Sequence, residues 1–310
     1  MKILGVHYSH DAGAAIIEDG KILAAVNEER YTREKLYWGF PKNSLREVFN
    51  ICKLKPSQID YVAFANVTPG GGPQKSFGEA NIRKKVNDLI SNTFPFIVGS
   101  NSYAKLYRNL YSKFRRGKSV LNYLKNIGVE APVSYVDHHL CHAAGAFYTS
   151  RFDKDTLVVT TDGTGDGLCS TINTVNDDYS LNKVAFTPSF HSPATVYAYV
   201  TYNLGFSPNK HEGKITGLAA YGKPQRTYSI FKSILNVNDT SYRVNKIGYG
   251  RLGAKRLHIL MQNKRWEDIA AGLQKRFEEV CSKLIENALK KYPKKYIALS
   301  GGAYANVKLN

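Results

Sequence analysis

The chain has 310 residues, 43% of them hydrophobic, with a formal net charge of +18. This length and apolar content suit a globular protein of about two lobes. No apolar run approaches the roughly 18 residues of a membrane span and no leader pattern is present, so the expectation is a cytoplasmic protein that neither crosses a membrane nor is secreted. Four cysteines, Cys52, Cys141, Cys169 and Cys281, make no C-x-x-C pair, which argues for thiols in a reducing compartment over a disulfide framework.

In chain order, Lys2–Tyr8 reads as a buried strand, Ala14–Ile17 as its partner, and Asp19-Gly20 as a tight turn into a third strand, Lys21–Val26. Between the first two strands lies Ser9-His10-Asp11-Ala12-Gly13. A His-Asp pair at a small-residue hairpin tip is better placed for a ligand than for a core, because burying both would demand partners for both. The charged run Asn27-Glu28-Glu29-Arg30-Tyr31-Thr32-Arg33-Glu34-Lys35 reads, by itself, as a solvated turn or a helix start. Pro69-Gly70-Gly71-Gly72-Pro73 reads as a flexible loop.

From Lys75 to Lys125 eleven basic residues face only Glu79 and Asp88, so half the positive excess sits in this stretch. Tyr103, Leu106, Tyr107, Leu110 and Phe114 make one helical face there, and Lys105, Arg108, Lys113, Arg115 and Arg116 surround it. A packing helix with a solvated basic side is the favoured reading; a surface for nucleic acid, an acidic glycan or a nucleotide-sugar is the alternative.

Val136-Asp137-His138-His139-Leu140-Cys141-His142-Ala143-Ala144 opens a small-residue helix. Four residues apart, His138 and His142 lie on one helical face within reach of a single ion, whereas His139 projects about 100° away and is expected to be structural. His7, His191, His211 and His258 show no partner pattern and read as structural or surface residues. Next, Leu157–Thr161 is an apolar strand leading into Asp162-Gly163-Thr164-Gly165-Asp166-Gly167. Glycines there let backbone N–H groups approach a phosphate, and the carboxylate can hold a metal. A helical stripe runs from Trp266 to Leu289, followed by the strand Tyr296–Ser300 and then Gly301-Gly302-Ala303-Tyr304-Ala305-Asn306. The two glycines admit close approach of a nucleoside, and the residues after them are expected to begin a helix.

Two phosphate-type hairpin turns and a late Gly-Gly turn resemble the actin, hexokinase and Hsp70 ATPase superfamily. Within it, the ordered series His10-Asp11, Glu28–Arg33, His138–Ala144, Asp162-Gly163, Gly213-Lys214-Ile215-Thr216-Gly217-Leu218-Ala219-Ala220-Tyr221-Gly222 and Ser300–Asn306 resembles the O-carbamoyltransferases of nodulation factors and antibiotics. The resemblance runs from Met1 to Asn310 and is weakest over about 70–125. It implies a two-lobed α/β fold with ribonuclease H-like lobes: a first lobe, 1–151, and a second, 152–310, that stops before its closing elements.

The resemblance also implies an activity. A YrdC-like domain, which nothing here resembles, would make carbamoyl-adenylate from carbamoyl phosphate and ATP, and this domain would move the carbamoyl group to the hydroxyl of a small molecule or glycan. By itself, the chain is then expected to form no carbamoyl-adenylate. Positions matching His10, Lys35 and Asp162 line the transfer site, with Asp11 orienting His10 as a candidate general base. Gly163, Gly165, Lys214, Gly301, Gly302 and Asn306 are the candidate nucleotide-binding positions. His138 and His142 hold a divalent metal, usually iron, as Fe(II); the family's third ligand, an Asp, would lie beyond Asn310, and Asp162 is the candidate substitute. The alternative is a non-catalytic nucleotide- or RNA-binding subunit. A kinase reading is disfavoured because phosphotransfer does not need the histidine pair, and the tRNA-modifying relatives match the Glu28–Arg30 and Gly213-Lys214 segments less well.

Overall fold

The computed structural model describes residues 1–66, 89–90, 92–106 and 118–310. The Pro69–Pro73 loop, Tyr107, Leu110 and Phe114 of the apolar helical face, and Arg108, Lys113, Arg115 and Arg116 around it lie outside the described residues. The chain is α/β and forms two compact units, one holding the described residues 1–66 and 118–141, the other 89–90, 92–106 and 142–310.

In the first unit β1 (Lys2–His7), β2 (Gly13–Glu18) and β3 (Lys21–Asn27) form an antiparallel meander. β4 (Tyr61–Ala65) then adds parallel to β1, and β5 (Val133–Val136) parallel to β4. The resulting sheet order is β3-β2-β1-β4-β5. Alternation decides which side chains go inward: Leu4, Val6, Ile16, Val62 and Phe64 are buried against Leu45, Val48 and Phe49 of the helix Lys42–Cys52.

That helix starts on a residue the charge pattern assigns to solvent. Glu28 is 1% exposed. Its Oε1 accepts from the Asn43 backbone and side-chain nitrogens at 3.1 and 2.8 Å, and its Oε2 from the Ser44 backbone nitrogen and hydroxyl at 2.8 and 2.7 Å. A carboxylate at the positive end of a helix dipole satisfies donors that have no intrahelical acceptor. The run after it does make a helix start, a single turn at Glu29–Thr32.

The second unit repeats the connectivity. β6 (Thr156–Gly165), β7 (Leu168–Val175) and β8 (Leu181–Pro188) form an antiparallel meander, β9 (Leu235–Asn238) and β10 (Ser241–Val244) a separate antiparallel hairpin, and β11 (Tyr296–Ser300) pairs parallel with β6. β6 is buried on both faces, which accounts for its unbroken apolar run. Leu157 and Val159 enter the larger core with Tyr197, Val200, Leu273 and Phe277. Val158 faces the opposite way and packs with Val175, Ala298, and Ala143 and Phe147 of the helix His138–Tyr148. The stripe expected over Trp266–Leu289 is the 26-residue helix Trp266–Lys291. All four cysteines are free thiols, and burial pushes Cys281 up to about 12. Among the described residues no helix is long and apolar enough to cross a membrane.

Candidate active site

The helix His138–Tyr148 presents two imidazoles at its first turn and is held on the second sheet by Ala143 and Phe147. One continuous helix sets the spacing of His138 and His142. At the end of β6, Asp162 Oδ2 lies 3.6 Å from His142 Nε2. Potential ligand atoms of His138, His142 and Asp162 all lie within 4.8 Å of one another. Donors sharing one tetrahedral ion at about 2.0–2.2 Å are roughly 3.4 Å apart, so the set fits a first-row divalent cation after small side-chain adjustment.

The surroundings favour that fit. His138 Nδ1 is 2.7 Å from Asn66 Oδ1; an amide oxygen accepts, so Nδ1 carries the proton and the lone pair falls on Nε2, the tautomer a ligand needs. Asn66 sits just past β4 with φ 78°, and no sequence signal marked it. His142 Nδ1 lies 3.5 Å from Ser300 Oγ at the end of β11. Asp162 Oδ1 accepts from the Gly163 backbone at 2.8 Å. His139, about 100° around the helix, is fully buried with its ring edge-on to His138.

In the first unit, the turn after β1 puts His10 beside Asp11, with Nδ1 to Oδ2 at 3.1 Å. The carboxylate accepts the Nδ1 proton, which leaves Nε2 as the basic nitrogen. Two features fix the tip: His10 packs on Trp38, with centroids 5.6 Å apart, and its carbonyl accepts from His7 Nε2 at 2.8 Å. His7, which shows no partner in the sequence pattern, is thus a brace for His10; burial, with His10 beside it, pushes its pKa down to about 4. Lys35 is exposed and lines a small cavity of about 190 Å³ with Glu29, Arg30 and Arg33.

The glycine positions separate by role. Gly165 ends β6 opposite Leu168, and Asp166 and Gly167 between them both have positive φ, 50° and 81°. This is the two-residue hairpin turn that Asp-Gly favours. A second irregularity lies earlier, where the β6–β7 register shifts between Thr161 and Gly165, at the half-buried Asp162-Gly163. The Gly-Gly turn leads into a single 3₁₀ turn, Gly302–Ala305. Asn306 is held by amide-to-amide bonds to Gln274 of the long helix, at 2.9 and 3.0 Å, and by Thr216 at 3.3 Å. Lys214 is exposed on the helix Glu212–Leu218, its ammonium 5.3 Å from the Phe206 ring centroid.

Gly301 has φ 101°, and a Cβ there would lie 2.3 Å from the Thr161 carbonyl oxygen. Both facts bar a side chain, since neither the left-handed backbone nor the neighbouring strand can yield cheaply. Gly301→Ala is therefore expected to destabilise the chain by about 1–3 kcal/mol, measured as a lowered midpoint of chemical unfolding; an unchanged midpoint would contradict the close approach.

The sequence matches the family described as Carbamoyltransferase N-terminus over residues 2–310. It is 29% identical over 376 aligned positions to the uncharacterized protein MJ1058 of Methanocaldococcus jannaschii, covering 100% of this chain and 58% of that protein. It is 26% identical over 314 positions to the nodulation protein NolNO of Sinorhizobium fredii, covering 98% of this chain and 42% of that protein. The chain thus spans about half the length of the curated relatives it matches. Among solved structures, the activator of the 2-hydroxyisocaproyl-CoA dehydratase from Clostridium difficile with bound ADPNP aligns at 11% identity and TM-score 0.48, covering 100% of this chain and 83% of that one. Full-length HypF in its phosphate- and nucleotide-bound form aligns at 12% and TM-score 0.48, covering 99% and 49%. The family assignment rests on the match of the sequence along its length, and on that match the chain belongs to the carbamoyltransferase N-terminus family.

Proposed function

We propose that the chain carries the acceptor side of a carbamoyl transfer, moving the group from carbamoyl-adenylate to an alcohol. What supports the reading above all is the cluster of His138, His142 and Asp162 in a chain of this family. Carbamoyl-adenylate is a mixed anhydride, so its leaving group is already good and the protein must chiefly activate the acceptor and offset charge. In the proposed step the acceptor oxygen bonds to the carbonyl carbon while the bond from that carbon to the phosphate oxygen breaks. AMP departs as the anion, and the hydroxyl proton passes to His10 Nε2, with Asp11 holding the ring and balancing the imidazolium. Lys35 and Lys214 offset phosphate charge, while Gly163, Gly165, Gly301, Gly302 and Asn306 bear on the nucleotide.

A divalent cation, for which we propose Fe(II), would be held by His138, His142 and Asp162 and would supply Lewis acidity toward a carbonyl oxygen. The adenylate itself would come from ATP and carbamoyl phosphate through a YrdC-like domain or subunit. The acceptor would be a small molecule or glycan.

Calorimetry with a hydrolytically stable carbamoyl-adenylate analogue tests the reading. The chain is expected to bind it, and Gly302→Val to weaken binding by on the order of 1–3 kcal/mol through steric exclusion. A Cβ at Gly302 would already sit 3.0 Å from Asp162 Oδ1, so the branched side chain must displace either the carboxylate or the ligand. Unchanged affinity would make this turn structural only. No binding of the analogue, together with salt-dependent RNA binding, would favour the non-catalytic subunit instead.

A further inference from the structure

A cavity of about 680 Å³ opens in the second unit and shares no lining residue with the histidine helix, Asp162 or the Gly301-Gly302 turn. Its size is that of a small-molecule site. Arg243 follows from the last strand of the hairpin Leu235–Asn238 and Ser241–Val244; Lys246 comes from the loop after it, and Arg256 from the helix Gly250–Met261. Among the described residues no carboxylate lines the cavity, and none of these three cations is paired with one.

Three like charges on one concave wall repel each other, and their field concentrates anions there. The wall is also built to hold them. Lys246 has φ 69°, with the Ile247 N–H donating back across it to the Asn245 carbonyl at 2.8 Å. A lysine in that backbone conformation is strained and persists only where the surroundings impose it. Behind Arg243, His191 is 8% exposed and accepts the Val244 N–H through Nδ1 at 3.2 Å, bracing the strand. Burial, with Arg243 next, pushes His191 down to about 4, so its imidazole adds no positive charge to the wall at neutral pH. Phe190, stacked on Tyr249 at 5.9 Å, supplies an apolar face.

We propose that this cavity binds a diphosphate-bearing small molecule through Arg243, Lys246 and Arg256. The site is separate from the proposed carbamoyl-adenylate positions and does not depend on that reading. Two negative phosphates answer three cations with little residual charge, and the remaining volume admits the ester's organic portion against Phe190.

Titration calorimetry with inorganic pyrophosphate on the full 310-residue chain tests it. Saturable one-to-one binding is expected, tighter than for inorganic sulfate. The double variant R243Q/R256Q should raise the dissociation constant at least about tenfold, the loss expected for charge-assisted hydrogen bonds. Asn245→Asp, which adds a carboxylate to the wall without changing its shape, should weaken binding similarly and guards against a folding defect in the double variant. Gly302→Val should leave pyrophosphate binding unchanged. Absence of saturable binding, or equal affinity in parent, R243Q/R256Q and Asn245→Asp, would overturn the proposal, as would loss in Gly302→Val alone, which would move the anion to the Gly-Gly turn.

Discussion

Replacing His138 and His142 together by alanine is expected to abolish stoichiometric binding of iron or zinc while leaving the far-ultraviolet circular dichroism nearly unchanged. The helix survives because its hold on the second sheet comes from Ala143 and Phe147, and alanine is itself the best helix former. Losing two imidazole donors leaves Asp162 as a lone carboxylate, too weak to retain an ion through dialysis. Asp162→Ala should weaken binding without removing the pair. Asn66→Ala should do so by a smaller factor, within the 10–100-fold typical of a residue that orients a ligand, because His138 Nδ1 loses its acceptor. Metal analysis of anaerobically prepared parent and variants checks all three. Equal metal content in parent and double variant would remove the assignment.

The second large effect concerns stability. Glu28→Ala is expected to lower the free energy of unfolding by about 3 kcal/mol or more, since it strands four donors at a helix start where water has no easy access. Glu28→Gln keeps the shape but turns an NH₂ group toward two of those donors, so it should recover only part of the loss. The measurement is the urea midpoint at constant slope. A Glu28→Ala variant as stable as the parent would mean that the helix Lys42–Cys52 is held by Leu45, Val48 and Phe49 alone. Glu29→Ala makes a useful control, because among the described residues the Glu29 carboxylate accepts only one bond at 3.4 Å, from the Leu36 backbone.

Glu28 also shows where the chain's charge pattern misleads. In Asn27–Lys35 five of the eight residues besides Glu28 carry charge, and such a run reads as solvated. Burial of the one carboxylate depends on Asn43 and Ser44 arriving from fifteen and sixteen residues away, which no local pattern reports. His7 and His191 were obscure for the same reason. Their partners, the His10 carbonyl and the Val244 N–H, are backbone groups, which have no sequence signature. The cavity at Arg243, Lys246 and Arg256 is likewise assembled from a strand, a loop and a helix that the basic composition does not distinguish from any other positive surface.

What the sequence determined by itself was whatever depends on short-range geometry. The buried strand at Lys2–Tyr8, the apolar run of β6, the stripe of the long helix and the strand Tyr296–Ser300 follow from local apolar patterning. The four-residue spacing of His138 and His142 placed two imidazoles on one face before any tertiary contact was considered, and the order of the motifs carried the family. Tertiary structure alone decided the rest. It brought Asp162 to within 3.6 Å of His142 across twenty residues, and it set the Asn66 amide behind His138. It also revealed the same meander-plus-parallel-strand connectivity in both units, which sequence repetition did not betray. The physical reason is that a sheet's connectivity is specified by which faces are buried, a condition many side-chain sets satisfy, whereas a ligand cluster requires particular atoms at particular distances and is complete only when separate elements meet.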